Sequence, residues 1–146
     1  LSEIQIIVLK CIVSMADKHK SIFEPYLKSF YVHSNDSSHV KRYKLAILTI
    51  LANGSNISTI LREFQVKQYC VKMKSNLRMF DLDYVLSNDK EFGAQTINAI
   101  GRCASTISEV TEACLNGLVG LMSKKDETIV AESVVVIKKL LQISVR

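Results

Sequence analysis

The sequence contains little of what β-rich folds need: one proline, five glycines and no tryptophan in 146 residues. Sandwiches and barrels require many tight turns, and proline and glycine are the residues that favour such turns. Hydrophobic residues make up 48% of the chain, and the mean hydropathy is +0.17. The longest apolar run is nevertheless far shorter than the ~18 residues that suggest a membrane-spanning helix. These absences favour an all-α protein.

Charge of one sign is not concentrated in any part of the sequence. The net charge of +5 comes from 19 Lys and Arg residues and 14 Asp and Glu residues, spread along the chain. A nucleic-acid-binding domain would show a dense basic stripe. We therefore expect a solvated helical surface and no nucleic-acid partner.

The four cysteines, Cys11, Cys70, Cys103 and Cys114, form no CxxC pair and have no metal-ligand spacing. All except Cys70 fall on apolar faces of predicted helices, where a free cysteine behaves as a small hydrophobic residue. An even number of cysteines can indicate disulfides in a secreted protein, but this chain is not small and loop-rich. We expect reduced thiols in the cytosol.

The most regular stretch is segment 126–143, D-E-T-I-V-A-E-S-V-V-V-I-K-K-L-L-Q-I. Apolar residues at steps of three and four predict one buried helix face, formed by Val130, Val134, Ile137 and Leu141. A second apolar set widens that face: Ile129, Val136 and Leu140. We expect an inner helix that is covered on more than one side, with Ile137 at its centre. The β-branched run 134–137 also suits a strand, but the whole segment is too long for a typical strand.

The pattern of this helix recurs upstream at a constant offset of 37 residues, so that Asp89 and Ile97 correspond to Asp126 and Val134. A weaker copy begins at Ser37, 52 residues before the second copy. Helix-pair units at such spacings are typical of HEAT and armadillo repeats. We therefore predict an all-α, HEAT/armadillo-like α-solenoid of antiparallel helix pairs, with about three to four repeats in residues 1–146.

The unequal spacing of the copies predicts an insertion near residues 66–82, because the first spacing exceeds the second by 15 residues. The inserted segment carries four basic residues: Lys67, Lys72, Lys74 and Arg78. Such additions in solenoids form loops or helix extensions on one face. The segment is either a binding loop or a splice or gene-model variant that the fold tolerates.

The remaining chain is predicted to form further helices, about seven in all. One of them, over residues 22–31, is aromatic and has Pro25 in its first turn. The helix over residues 3–17 has two apolar stripes and is expected to be a second inner helix. The other expected ranges are 38–52, 57–64, 89–105 and 109–123. Four glycines inside helices should mark the close approach of a neighbouring helix: Gly93, Gly101, Gly117 and Gly120.

No group of residues suggests catalysis or ligand binding. The histidines lie in predicted turns or loops, and their spacing matches no zinc motif: His19, His33 and His39. Glu109 and Glu112 share a helix face, which solvation explains better than acid–base catalysis. Arg102 is either a ligand contact or, as we expect, a structural hydrogen-bond donor to loop carbonyls. The sequence has no P-loop and no nucleophile elbow. We predict no enzyme, and no catalytic, cofactor-binding or metal-binding residue.

Four stretches of the sequence resemble the trunk of the β-adaptins, large subunits of heterotetrameric adaptor-protein complexes. They are F-E-P-Y-L-K-S-F-Y-V at 23–32, L-A-N-G-S-N-I-S-T-I-L-R-E-F-Q at 51–65, I-N-A-I-G-R-C-A at 97–104 and V-A-E-S-V-V-V-I-K-K-L-L at 130–141. The first stretch looks most like the β subunits of adaptor-protein complex three. The resemblance covers nearly the whole chain except about residues 66–82, where the chain departs by the insertion. Because the chain begins at Leu1 without a methionine and stops at Arg146, just past a predicted helix, we expect a fragment of a longer protein.

The resemblance implies a non-enzymatic scaffold in a vesicle coat that sorts cargo toward lysosomes and related organelles. The implied partners are the second large, the medium and the small adaptor chains, with an Arf-type GTPase and clathrin through the parent complex. The implied location is cytoplasmic, peripheral on Golgi, endosomal and vesicle membranes. No ligand-contact motif of the family maps onto this sequence. A different helical-repeat binder, such as a nuclear-transport receptor, is the alternative, although the absence of tryptophan disfavours it.

Overall fold

The computed structural model describes residues 2–65 and 90–145. Within these ranges the chain contains seven α-helices, two short 3-10 helices and no β-strand, which confirms the all-α prediction. The α-helices are α1 (Ser2–Ala16), α2 (Lys20–Phe23), α3 (Ser38–Leu51), α4 (Ile57–Gln65), α5 (Lys90–Thr106), α6 (Thr111–Leu121) and α7 (Glu127–Ser144). The 3-10 helices are Glu24–Phe30 and Ser108–Val110. The expected insertion at 66–82 and Asp89, the first residue of the expected helix 89–105, lie outside the described residues.

The described chain divides into two compact units, Leu1–Asn53 and Gly54–Arg146. In the first unit α1 packs mainly against α3. Helix α3 begins as expected, because the Ser37 hydroxyl accepts a hydrogen bond from the Val40 N–H at 3.4 Å. Its apolar face is buried and includes Val40, Leu45, Ile47, Leu48 and Leu51.

Helix α1 is not the inner helix that its two apolar stripes predict. Only Leu9 and Ala16 are buried, whereas Ile4, Ile7, Val8 and Met15 are exposed. The helix contacts α3 along one side and α2 at its end, so its second stripe is uncovered in the structure.

The expected aromatic helix is also broken. The chain forms α2 and then the 3-10 helix Glu24–Phe30, within which Tyr26 has non-helical dihedral angles. Pro25 explains the break, since it has no N–H to continue an α-helical ladder and its ring crowds the preceding turn. Phe30 is buried, but Ile22 and Tyr26 are exposed, so only part of the cluster packs between helices.

The second unit contains the helical repeat. Helices α5 and α7 begin at Lys90 and Glu127, and their packing against each other gives the predicted 37-residue offset a structural meaning. Asp126 caps α7, because its carboxylate accepts hydrogen bonds from the N–H groups of Thr128 and Ile129 at 3.0 and 3.3 Å. Helix α6 packs against both α5 and α7. Its first residue, Thr111, donates a hydrogen bond to the Ala104 carbonyl at 2.6 Å, so α6 begins beside the end of α5.

The expected inner position of α7 is only partly confirmed, because its second apolar set is buried and its first set is not. The buried residues are Ile129, Ser133, Val136 and Leu140, whereas Val134 and Leu141 are exposed and Ile137 is only half-buried. The buried stripe also includes Ser133, a polar residue among these apolar positions. The Ser133 hydroxyl donates to the Ile129 carbonyl at 2.7 Å, which satisfies it inside the core.

The helical glycines behave differently from one another. A Cβ atom placed on Gly101 would lie 2.5 Å from Cγ1 of Val136, so α5 and α7 approach closely there, as expected. A Cβ atom on Gly120 would meet nothing within 4 Å in the described part of the chain, so the expected close approach is wrong for that glycine. Gly93 and Gly117 are buried.

Candidate binding surfaces

A groove of about 410 Å³ runs between α5 and α7 in the second unit. We call it the α5–α7 groove; its lining residues are Gln95, Asn98, Gly101, Arg102, Ser105, Val136, Lys139, Leu140 and Ile143. The two helices run in the same direction, because Asn98 meets Glu132 and Gly101 meets Val136 further along both. Val136 and Leu140 are buried beneath the groove as an aliphatic floor, and Ile143, which is 53% exposed, supplies its accessible apolar surface.

The charges on this groove are of one sign. Arg102 of α5 and Lys139 of α7 are both exposed, and neither forms an ion pair with the residues that the structure describes. The neighbouring carboxylate, Glu132, instead accepts a hydrogen bond from the Asn98 amide at 3.1 Å. The groove can therefore attract an anionic group with two cations that no residue in 2–65 or 90–145 neutralises.

A second and larger groove of about 770 Å³ lies on the other side of α7. We call it the α7 apolar groove; it is lined by Met122, Val134, Ile137, Lys138, Leu141, Gln142 and Val145. Met122, Val134, Leu141 and Val145 are exposed large hydrophobic residues. Such a continuous apolar surface is typical of a site that another protein segment covers.

The first unit contains a buried ion pair that the sequence analysis did not identify. The side chain of Lys44 lies inside the apolar face of α3, and its Nζ is 2.8 Å from Oδ2 of Asp36. The same ammonium donates to the Tyr31 carbonyl at 3.2 Å, and Asp36 also accepts from the His33 N–H at 2.8 Å. These bonds fix the loop before α3 onto that helix.

The surroundings of Asp36 stabilise its charged form. Burial raises the pKa of this carboxyl, but the hydrogen bonds from Lys44 and the His33 N–H and the charge of Lys44 outweigh it, so the pKa falls below its ordinary value. The sequence contained one signal for this buried ion pair: the spacing of Val40, Lys44 and Ile47 places the lysine on the apolar face of the helix. The cluster is a structural clamp, because both charges are nearly enclosed and paired with each other.

The residues considered as candidates from the sequence do not come together into one site. The three histidines are exposed and lie in the turn before α2, the segment before α3 and the first turn of α3: His19, His33 and His39. Glu109 and Glu112 are exposed around the start of α6. Arg102 differs from the expectation, since its guanidinium makes no hydrogen bond with described residues and lies on the α5–α7 groove.

The cysteines divide into an exposed and a buried class. Cys103 and Cys114 are free and buried as expected, whereas Cys11 is free but exposed, and Cys70 lies outside the described residues. Burial raises the pKa of the Cys103 thiol to about 11 and, together with the neighbouring Cys103, that of the Cys114 thiol to about 12. Neither thiol is a nucleophile near neutral pH.

Residues 2–65 and 90–145 contain neither a metal-ion cluster nor a membrane-spanning helix. No group of three or more His, Cys, Asp or Glu side chains is arranged to hold a metal ion in this part of the chain. Among the helices described, none has the length and apolar character to span a membrane.

Comparison with known proteins identifies the family. The sequence model of the protein family described as the adaptin N-terminal region matches residues 2–144 of this chain. AP-3 complex subunit beta-1 of Mus musculus is 57% identical over 140 residues, which is 96% of this chain and 11% of that protein. AP-3 complex subunit beta of Dictyostelium discoideum is 43% identical over 142 residues, 97% of this chain and 11% of the relative. AP-1 complex subunit beta of the same organism is 33% identical over 138 residues, 94% and 13% respectively.

These matches confirm the resemblance to β-adaptins and to the β subunits of adaptor-protein complex three. The chain spans about a tenth of the length of these relatives. The helical-repeat packing of α5, α6 and α7 and the family match over nearly every residue agree with each other. This chain belongs to the adaptin N-terminal family.

Proposed function

We propose that the chain is part of the trunk of a β large subunit in a heterotetrameric adaptor-protein complex of type three. It acts there as a non-enzymatic scaffold in vesicle-mediated transport of cargo toward lysosomes and related organelles. The observation that supports this most is the 57% identity to the AP-3 β-1 subunit of Mus musculus over 96% of the chain. The 33% identity to an AP-1 β subunit is much lower and favours type three.

We propose that residues 1–146 contribute about three to four helical repeats to the longer stack of the parent subunit. The packing of α5, α6 and α7 in the second unit supports this. Each repeat helix has one apolar face for its own unit and another for its neighbour, so an isolated repeat leaves surface uncovered. The α7 apolar groove fits this, since Leu141 is exposed although α7 is a repeat helix. We propose that a further helix of the parent subunit lies in this groove.

The proposed partners are the second large, the medium and the small chains of the adaptor complex. An Arf-type GTPase and clathrin would be engaged through the parent complex. The proposed location is the cytoplasmic side of Golgi, endosomal and vesicle membranes, as a peripheral coat component. Each of these belongs to the whole subunit, of which this chain is a short part.

Affinity capture of the tagged full-length parent tests the proposal. Mass spectrometry should identify one second large, one medium and one small adaptor chain in the captured material. Leu140→Asp should abolish their recovery, because it buries a carboxylate in the α5–α7 interface, whereas Lys125→Ala at an exposed position should not. Recovery of nuclear-transport cargo without adaptor chains would replace this proposal by the nuclear-transport alternative.

The proposed cover of the α7 apolar groove has its own test. Leu141→Ala should change the unfolding free energy of residues 1–146 by no more than about 0.5 kcal/mol, since the side chain is exposed there. In the full-length subunit the same change should cost about 2 kcal/mol or more if a helix covers it. Equal effects in the two proteins would remove the proposed cover and leave the family assignment untouched.

A further inference from the structure

The α5–α7 groove combines three features that together define a ligand class. Its floor is aliphatic, its sides carry polar groups, and its only charged lining residues among those described are Arg102 and Lys139. Specific pockets characteristically join an apolar surface to a few fixed polar groups. We infer that this groove binds a short, extended acidic peptide segment, with its carboxylates on Arg102 and Lys139.

The dimensions of the groove fit a short extended peptide. Gln95 and Ser105 delimit its α5 side, and ten residues of α-helix rise by about 15 Å. An extended chain advances by about 3.3 Å per residue, so about four to five peptide residues fill this length. Side chains of an extended peptide alternate, which lets apolar residues face Ile143 while acidic residues reach Arg102 and Lys139.

Arg102 and Lys139 form no ion pair with the carboxylates that the structure describes near them. Glu132 accepts the hydrogen bond from Asn98, and Asp126 is 3.6 Å from Lys90 at the start of α5. Arg102 and Lys139 stand on opposite helices, so a ligand with two carboxylates can bridge the groove. Arginine in particular recognises carboxylates through two parallel N–H donors.

Other anionic partners fit this groove less well. Single-stranded nucleic acids bind through aromatic side chains that stack on bases, and none of residues 2–65 and 90–145 that line the groove is aromatic. A membrane surface is attracted by a cluster of several protruding basic residues. Helix α7 instead carries Glu127 and Glu132 together with Lys138 and Lys139, a mixed surface. A concave site with two cations favours a peptide.

Fluorescence anisotropy of the full-length subunit with a labelled peptide tests the inference. The probe is a fluorescein-labelled peptide of alternating Glu and Val, about six residues long, and the control peptide has Gln in place of Glu. Arg102→Ala and Lys139→Ala should each weaken binding of the Glu peptide by about tenfold, the usual effect of losing a charge-assisted contact. Neither change should alter the weaker binding of the Gln peptide.

The chain supplies a matched control for each part of the site. Lys138→Ala removes the same charge one residue away but on the α7 apolar groove, and it should leave the affinity unchanged. Ile143→Ser should weaken binding, whereas Val119→Ser, at an equally exposed position of α6, should not; both side chains are 53% exposed. Circular dichroism should show unchanged helix content in all variants.

Three results would overturn the inference. The first is absence of binding by the Glu peptide, and the second is equal affinity for the Glu and Gln peptides. The third is an Arg102→Glu, Lys139→Glu variant that keeps its peptide affinity but loses binding to phosphatidylserine-containing vesicles, which would identify a membrane site. The expected result is that this charge reversal abolishes binding of the Glu peptide and permits binding of a Lys and Val peptide. Retained capture of the other adaptor chains by this variant keeps the outcome separate from the proposed function.

Discussion

Replacement of Gly101 by alanine puts two opposing energies in competition at the contact between α5 and α7. Alanine is favoured over glycine inside a helix by about 1 kcal/mol. Its Cβ atom would, however, lie 2.5 Å from Cγ1 of Val136, about 1 Å closer than ordinary contact. Both residues are buried, so the Val136 side chain or one of the two helices must shift.

The steric cost should exceed the helix gain. Extra methyl groups in a packed core typically cost about 1–3 kcal/mol. The helix preference for alanine, roughly 1 kcal/mol, is subtracted from this cost. We therefore expect Gly101→Ala to lower the free energy of unfolding by up to about 2 kcal/mol. Gly120→Ala is the matched control, because that position is helical and open, and it should raise the free energy by about 0.5–1 kcal/mol.

Urea unfolding followed by far-ultraviolet circular dichroism measures both changes, and a third variant tests the cause. Val136→Ala removes the clashing methyl group and should be costly alone but less so beside Gly101→Ala. The double-mutant cycle should give a favourable coupling of about 1 kcal/mol or more, because the two sites touch. The close-approach argument is refuted if Gly101→Ala stabilises the protein as Gly120→Ala does, or if the cycle shows no coupling.

Three further predictions concern the core of each unit and the thiols. Leu140→Ala should lower the free energy of unfolding in urea by about 2–5 kcal/mol, because the Leu140 side chain is only 2% exposed. Leu141→Ala should lower it by no more than about 0.5 kcal/mol, because Leu141 is 52% exposed. Equal effects of the two changes would show that the buried face of α7 is misassigned. Asp36→Asn should destabilise the protein by about 1–3 kcal/mol near neutral pH through loss of its pair with Lys44. The pKa of Asp36 in the folded protein is lowered from 3.8, so the stability difference between wild type and Asp36→Asn should be complete above pH 3.8 and disappear as the pH falls through the folded-state pKa. Unfolding of both proteins measured over this pH range would contradict the reasoning if the difference did not change with pH. Iodoacetamide near pH 8 should label Cys11 and spare the two buried thiols, and peptide mapping that found all three labelled equally in native protein would contradict their burial.

The helical class and the repeat were accessible from the sequence because they depend on periodicity. The 37-residue offset survives in the starts of α5 and α7, and Ser37 and Asp126, the first residues of two copies of the pattern, accept hydrogen bonds from the N–H groups of Val40 and Thr128. Hydrophobic spacing and capping are local properties, so a single sequence carries them. The break at Tyr26 was not predicted, because a proline is also compatible with the first turn of an unbroken helix.

The candidate site was much less accessible, because it depends on which helices touch. Arg102 was noted in the sequence as a structural donor, but only its position opposite Lys139 makes it part of a groove. No spacing in one helix predicts that pairing, since the two residues are 37 positions apart and belong to neighbouring repeats. The same repeat offset does link them, however: Arg102 and Lys139 occupy equivalent positions of α5 and α7.

This equivalence explains how a helical repeat can build a charged groove from one basic position per helix. Helices at successive repeats run in the same direction, so equivalent residues are displaced by one inter-helix step and flank the same groove. A basic residue at this position of two adjacent helices therefore places two cations on one groove, as Arg102 and Lys139 do. The apolar residues beside them, Val136 and Leu140, are fixed by core packing and cannot vary freely. Binding specificity along such a stack can thus change through the exposed repeat position while the buried stripe that holds the helices together stays the same.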